Sequence, residues 1–519
     1  MNHLLFTIGA LLPALLMLTG MLLSLLPALS VGRLWRVFMG MSGAALACAL
    51  VSACAGQHFP EFHPWFQAST FGFVMALLVQ LLCSIIAAFS ARYLEGEAGQ
   101  RRFVTALAGV MTAVHLLLMA DHWIILICAW ALVGVALQYL LCFYPDRPFA
   151  LLAAHKKHIA DRIADVLLII AAALAWSDVG SGSLSALWVH LERHGMSLTL
   201  QLSALCLVLA VVLRTALLPV HGWLIQVMEA PTPVSALLHA GVVNLGGFVL
   251  IRFAPLLEQA VPARTLLLVF GLGSAVLAGL VMLTRISIKV RLAWSTTAQM
   301  GFMVLECGLG LYSLAALHLI GHSLYKAHSF LSASTVVRQT RLQAMHGDES
   351  PIPLSLLLAP AMAVPTVLLI QSTFGNAAWP WWWSVILGLA WAPLLWLPAQ
   401  RNSLRAICLH AGAGVLMVGG LTGATLLAHA VPLGIHDTPN HLLGVIALIG
   451  MAGLYLSLVV LQLRPHTLRG WRRWSYAGFY LDEITTRLAL QYWPARWIPL
   501  ALKSNRVRVP SLPADDGKR

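Results

Sequence analysis

Apolar runs of about 17 to 25 residues alternate along this chain with short polar or basic stretches, and that length is what an α-helix needs to cross a bilayer. The pattern predicts an all-α, polytopic transmembrane bundle of about fifteen spans. They start near His3, Arg36, Thr70, Val104, His122, Asp161, Gln201, Thr232, Thr265, Lys289, Tyr312, Leu354, Trp381, Ser403 and His441. The first run carries only His3 where a signal peptide has its basic region, and Leu4 to Leu26 is long for a signal core, so a retained helix is expected. The body extends over residues 1–464. Within Trp471 to Pro499, Trp474, Tyr480, Ile484, Leu488, Trp493 and Ile498 alternate with Arg472, Arg473, Arg487 and Arg496. That alternation predicts an amphipathic tail, residues 465–503, lying on the cytoplasmic membrane surface. The polar stretch 504–519 is expected to be disordered.

Composition agrees with the pattern. At 60% hydrophobic and 10% charged residues, the 519 residues cannot form a soluble core with a polar shell, which takes roughly 25% charged residues. The net charge of +13 then acquires a membrane explanation rather than a nucleic-acid one. Arg33 and Arg36, Arg92 with Arg101 and Arg102, Arg147 with Lys156 and Lys157, Arg285 with Lys289 and Arg291, Arg338 with Arg341, and Arg401 with Arg405 all fall in loops on one side. Opposite loops such as 56–68, 375–380 and 428–440 hold no Lys or Arg. Basic loops stay on the cytoplasmic side, which predicts a periplasmic N-terminus, a cytoplasmic C-terminus and an inner-membrane location. The eight cysteines are scattered singly through apolar segments, without zinc-ligand spacing, and read as small core residues. Neither a phosphate-binding loop nor a nucleophile elbow is visible, so no enzymatic, metal or cofactor site is expected in this chain.

Against this background a few ionisable residues inside the apolar runs stand out: Arg214, His239, Lys289, His318, His322 and Lys326. Each costs about 2.5 to 3.5 kcal/mol at the centre of a bilayer on insertion scales, and their retention points to movement of charge. His318, His322 and Lys326 lie at i, i+4 and i+8, one face of one helix. Histidine both donates and accepts near neutral pH, and a lysine taken out of water gives up its proton more readily, so the stripe suits a proton relay. A bland reading, histidines bonding neighbouring helices, suits one such residue better than three. In VLAVVLRTALLPVHG, Arg214 precedes Pro219, with Pro231 and Pro233 beyond. Proline breaks the helical ladder, and a broken helix beside a buried charge is a transporter pattern. The alternative is an arginine snorkelling to the cytoplasmic rim. Asp165 is its candidate counter-ion.

EAPTPVSALLH (229–239), IKVRLAWSTTAQMG (288–301) and LHLIGHSLYKAHSFL (317–331) resemble the antiporter-like subunits of respiratory complex I and of multi-subunit sodium/proton antiporters, a likeness that extends over roughly 70–337. The resemblance implies two inverted repeats with broken helices and a chain of buried charges relaying protons. It places Arg214 at the family's broken-helix lysine, Lys289 at the IKR lysine, His318, His322 and Lys326 on the HxxxHxxxK stretch, His239 at the PTPVSALIH histidine, and Asp165 at the acidic position of the sixth helix. Two departures matter. The WELVG glutamate is Ala131 here, and Arg214 is a charge that does not deprotonate. No lysine lies between Lys326 and Lys503, so a second broken helix, expected around Pro360 to Pro365, lacks its carrier.

Together with AGFYLDEITTRLAL (477–490), these departures resemble the DabB family, membrane subunits of a two-component inorganic carbon pump. That resemblance implies a proton- or sodium-conducting subunit beside a DabA-like cytoplasmic partner, which carries zinc and hydrates CO2 to bicarbonate. A divergent antiporter subunit of a complex I, hydrogenase or Mrp-type assembly is the competing reading, and a purely structural membrane anchor is a third.

Overall fold

The computed structural model describes residues 2–55, 65–67, 69–333, 351–373, 379–399, 403–464, 467 and 469–494. Among them every regular element is a helix, and β-pairing is limited to isolated bridges such as Phe66 with Ala120. In order they are α1 (Asn2–Ser24), α2 (Val31–Ala55), α3 (Thr70–Tyr93), α4 (Gln100–Leu118), α5 (Trp123–Leu141), α6 (Pro148–Val179), α7 (Leu184–His194) and α8 (Leu198–Arg214). A fragmented stretch follows: α9 (Gly222–Gln226), α10 (Thr232–Ala240), α11 (Leu245–Arg252) and α12 (Ala254–Gln259). Then come α13 (Val261–Met282), α14 (Ile288–Leu309), α15 (Tyr312–Leu331), α16 (Pro353–Thr373), α17 (Trp381–Trp391), α18 (Leu404–His429), α19 (His441–Leu463), α20 (Arg469–Tyr476) and α21 (Leu481–Tyr492).

Nine described helices are long and apolar enough to cross a membrane by length and composition. The remaining expected spans fall on shorter apolar helices, Ala10–Ser24, Leu198–Arg214 and Trp381–Leu395, or on α6, α14 and α15, which charged residues interrupt. Every expected start thus meets a helix.

Three expectations need correction. The sixth span begins at Pro148, not near Asp161, and Lys156 and Lys157 are buried in it rather than sited in a loop. Proline is well placed at a helix start, and the helix tolerates its charges because Lys157 pairs with Asp161 and Arg162 with Asp165 along its own surface. The helix holding Pro360 and Pro365 is continuous from Pro353 to Thr373. The Leu356 carbonyl, which the missing N–H of Pro360 would leave unpaired, accepts a 2.7 Å bond from the Tyr455 hydroxyl of α19. A neighbouring helix supplying such a bond is how proline survives inside a bundle. The tail is not one helix: α20 and α21 are separated by Gly478, Phe479 and Tyr480, all at positive φ. Residues beyond 494, including the 504–519 segment and Ile498, lie outside the described residues.

A large core joins α1–α15, and a smaller one joins α16–α19 to α13, α14 and α15. The α13–α14 hairpin lies between them. Its backbones approach closely at glycines: a Cβ on Gly271 would lie 2.8 Å from the Gly301 carbonyl oxygen, and one on Gly301 2.6 Å from the Ala275 nitrogen. Small residues at membrane-helix contacts serve this purpose, because close packing replaces the hydrophobic drive that lipid cannot supply.

Candidate functional site

The candidate site residues fall in two groups of buried polar residues. The first lies where α8 ends. Arg214 is 6% exposed, which removes the snorkelling alternative. Its guanidinium pairs with Asp165 and donates to the Trp130 carbonyl at 2.8 Å, with the Trp130 ring 4.7 Å away. Arg162 approaches the other Asp165 oxygen at 2.9 Å. One turn earlier, Lys157 pairs with Asp161. Ala131 of α5 offers no carboxylate, and the carboxylates come from α6. Asp161 lies so close to α5 that a Cβ on Gly134 would be 2.7 Å from its Oδ2. Arg214 and Asp165, its candidate counter-ion, are thus brought together.

The second group lies between α10, α14 and α15. Lys326 is wholly buried, and its ammonium donates to the Leu292 carbonyl at 3.0 Å and to Ser295 Oγ at 2.9 Å. Neither ring nitrogen of buried His322 has a partner among the described residues. The His318 ring is 6.2 Å from that of His322, centroid to centroid. His239, on the last turn of α10 just before the chain breaks at Gly241, bonds Thr296 Oγ1 at 3.0 Å and stacks on Phe330 at 4.5 Å. Its Nε2 is without a partner among the described residues. Lys289 differs: it is half-buried on the first turn of α14 and donates to Thr232 Oγ1 at 3.1 Å. It marks an end of the group and not its middle, one turn from the carbonyl that Lys326 bonds.

The spacing of residues missed several partners. Glu306, 4% exposed, holds His318 Nδ1 at 2.8 Å. Its signal, a lone acid in an apolar run, points to no partner until the α14–α15 turn folds it back. Lys157 and Asp161 had a signal in their i, i+4 spacing. Lys156 bonds Asp482 of α21 at 2.6 Å and Thr486 at 2.9 Å, and Gln226 bonds the other Asp482 oxygen at 2.8 Å. A Cβ on Gly222 would be 1.4 Å from Asp482 Oδ1, so glycine alone admits the tail there.

A cavity of about 780 Å³ opens between α13–α15 and α17–α19. Ser295, Gln299, Glu306 and His318 line one wall, and apolar side chains such as Phe302, Trp383 and Leu421 much of the rest. Among the described residues no set of three His, Cys, Asp or Glu is arranged to hold a metal ion.

Comparison with known proteins places these features. Residues 120–381 match the family described as NADH:quinone oxidoreductase/Mrp antiporter, TM. A probable inorganic carbon transporter subunit DabB of Hydrogenovibrio crunogenus is 36% identical over 458 residues, 86% of each chain. The probable subunit DabB2 of Halothiobacillus neapolitanus is 38% identical over 476 residues, 86% of this chain and 84% of that one. Subunit L of the NADH-quinone oxidoreductase of Mycobacterium tuberculosis is 30% identical over 54% of this chain and 44% of its own. Among solved structures, a chain of the Mrp complex from Dietzia has the same fold, with a TM-score of 0.61 at 22% identity. The match covers 93% of this chain and 60% of that one.

Proposed function

Since the chain belongs to the DabB family of inorganic carbon transporter subunits, within the wider NADH:quinone oxidoreductase/Mrp antiporter family, we propose that it is the proton-conducting membrane subunit of an energy-coupled inorganic carbon transporter. The observation that carries the reading is the file of basic groups formed by half-buried His318 and buried His322 and Lys326, with buried His239 beside it. Among the described residues its one counter-charge is at one end, where Glu306 meets His318. Buried charges kept without pairing are costly and mark ion pathways.

In this reading Lys326 alternates between ammonium and amine. Its proton passes through His322 and His318 on one side and toward Lys289 on the other, with His239, stacked on Phe330, beside the path. Arg214 cannot act as a carrier, because guanidinium keeps its proton in proteins. With Asp165 it holds a fixed field at the broken helix. The proton current drives CO2 hydration by a DabA-like zinc protein on the cytoplasmic face, and coupling requires that flux through this chain bias a two-state element in the partner.

Affinity purification of the tagged chain from native membranes, with mass spectrometry of what accompanies it, tests this. One large zinc-containing protein is expected. Recovery of quinone-reducing or hydrogenase subunits instead would make the chain an antiporter subunit of a redox-driven assembly.

A further inference from the structure

The file has an entry that the reading above does not identify. Glu306 and Lys289 lie on the same helix, and their separation of 306 − 289 = 17 residues is roughly 25 Å at 1.5 Å per residue. The polar groups from Lys289 through Lys326, His322 and His318 to Glu306 therefore extend over most of a bilayer's hydrocarbon thickness. At the far end Glu306 lines the 780 Å³ cavity beside His318. The ionisable groups on the cavity wall are Glu306, His318 and Tyr455, and neither Lys nor Arg is among them. A structural ion pair is best packed out of reach of solvent-sized space. This pair faces it.

We propose that Glu306 is the proton-accepting group of this chain on the cavity side, loading the file through His318. The inference rests on the proton-conducting reading. His318 Nε2 donates to Gln299 Oε1 at 2.8 Å, so a single proton is shared between His318 Nδ1 and Glu306 Oε2 in the 2.8 Å bond. A proton arriving from the cavity adds to the free oxygen of Glu306. The imidazolium, turning away from Glu306, releases its Nδ1 proton toward His322, and on turning back takes the Glu306 proton at Nδ1. One proton enters, one leaves, and the pair is restored. The step from His318 to His322, at 6.2 Å between ring centroids, is of a length that one bridging water spans.

The test uses the chain purified with its native partners and reconstituted into vesicles, with proton flux read by an internal pH dye. Glu306→Gln is expected to reduce flux by roughly 100-fold, the size of a lost proton-transfer group, and Glu306→Asp to keep part of it. Flux in Glu306→Gln within twofold of wild type overturns the inference. Absence of flux in wild type overturns the proton-conducting reading itself. Dicyclohexylcarbodiimide, which modifies protonated carboxyls in apolar surroundings, supplies a readout independent of flux and of any variant's folding. Peptide mass spectrometry of the treated wild-type protein is expected to find the adduct on Glu306, blocked in Glu306→Gln. An unmodified Glu306 in protein whose other carboxyls react overturns access from the cavity.

Discussion

The two buried polar groups contain the same kinds of side chain and treat charge in opposite ways. In the group at α6 and α8 the cations are matched by carboxylates: Arg214 and Arg162 share Asp165, and Lys157 has Asp161. Around α14 and α15, Lys326 bonds only a carbonyl and a hydroxyl, His322 bonds nothing among the described residues, and the first carboxylate is Glu306 at the end of the file. A saturated cluster is locked, because removing any proton or partner strands a charge. A file of basic groups without counter-ions is poised to lose and regain protons. The contrast teaches that the number of buried charges says little about conduction until their pairing is known.

The largest effect that would break the comparison lies in the first group. Arg214→Met leaves Asp165 buried with only the half-exposed Arg162, and removal of one partner of a buried pair costs about 3 to 5 kcal/mol. A clear fall in melting temperature is expected, and the double variant Arg214→Met/Asp165→Leu should recover most of it. Lys326→Met in the second group is expected to do the reverse. Proton flux should fall by roughly 100-fold, equivalent to about 2.7 kcal/mol in a barrier. Melting should hold or rise, since an unpaired buried charge has been replaced by an apolar chain of similar length. Equal destabilisation by both variants would show that the two groups do the same structural job.

Next in size is Gly134→Ala. Its Cβ would lie 2.7 Å from the Asp161 oxygen, and Asp161 cannot swing away without leaving Lys157. Overpacking of this kind costs about 1 to 3 kcal/mol. A melting temperature unchanged in Gly134→Ala would mean that α5 and α6 are free to separate there and that the first group is not locked.

What was legible in the sequence follows from distance along the chain. His318, His322 and Lys326 were readable because helical spacing alone puts them on one face, and Arg214 with Asp165 because each stands out in an apolar run. The helices themselves were legible from length and hydropathy. Glu306 was not readable as a partner of His318, since a turn at Gly310 and Leu311 must first fold α15 back on α14. Lys156 and Lys157 were misplaced because a run of basic residues normally marks a loop, and only their pairing with acids allows them inside a helix. The length of α6 was hidden for the same reason. Lys289 was read as one more intramembrane charge, when its place on the first turn of α14 makes it a terminus. Long-range pairing, which no local pattern encodes, hid the partners of Glu306 and Lys156, whereas Lys157 with Asp161 had a local signal that the basic run masked.

The smallest effect concerns a third pairing, which tests whether saturation alone locks a site. Lys156 and Asp482 are as close as the pairs of the first group, but the Asp482 side chain is 27% exposed against 7% for Lys156. Water therefore screens the interaction, and a pair of this kind contributes about 1 kcal/mol or less. Asp482→Asn should leave the melting temperature of the bundle almost unchanged, because Thr486 still accepts from Lys156 and the asparagine oxygen can still accept from Gln226. The loss should be local. With its ionic tie weakened, α21 is held by the contacts of Phe479 and Leu481 with the Leu218 and Trp294 cluster, and trypsin should cut faster at Arg473 and Arg487. A fall in global melting as large as that of Arg214→Met would place the tail inside the locked core. Faster cleavage with melting intact makes burial, and not pairing alone, the property that distinguishes the first group from the surface.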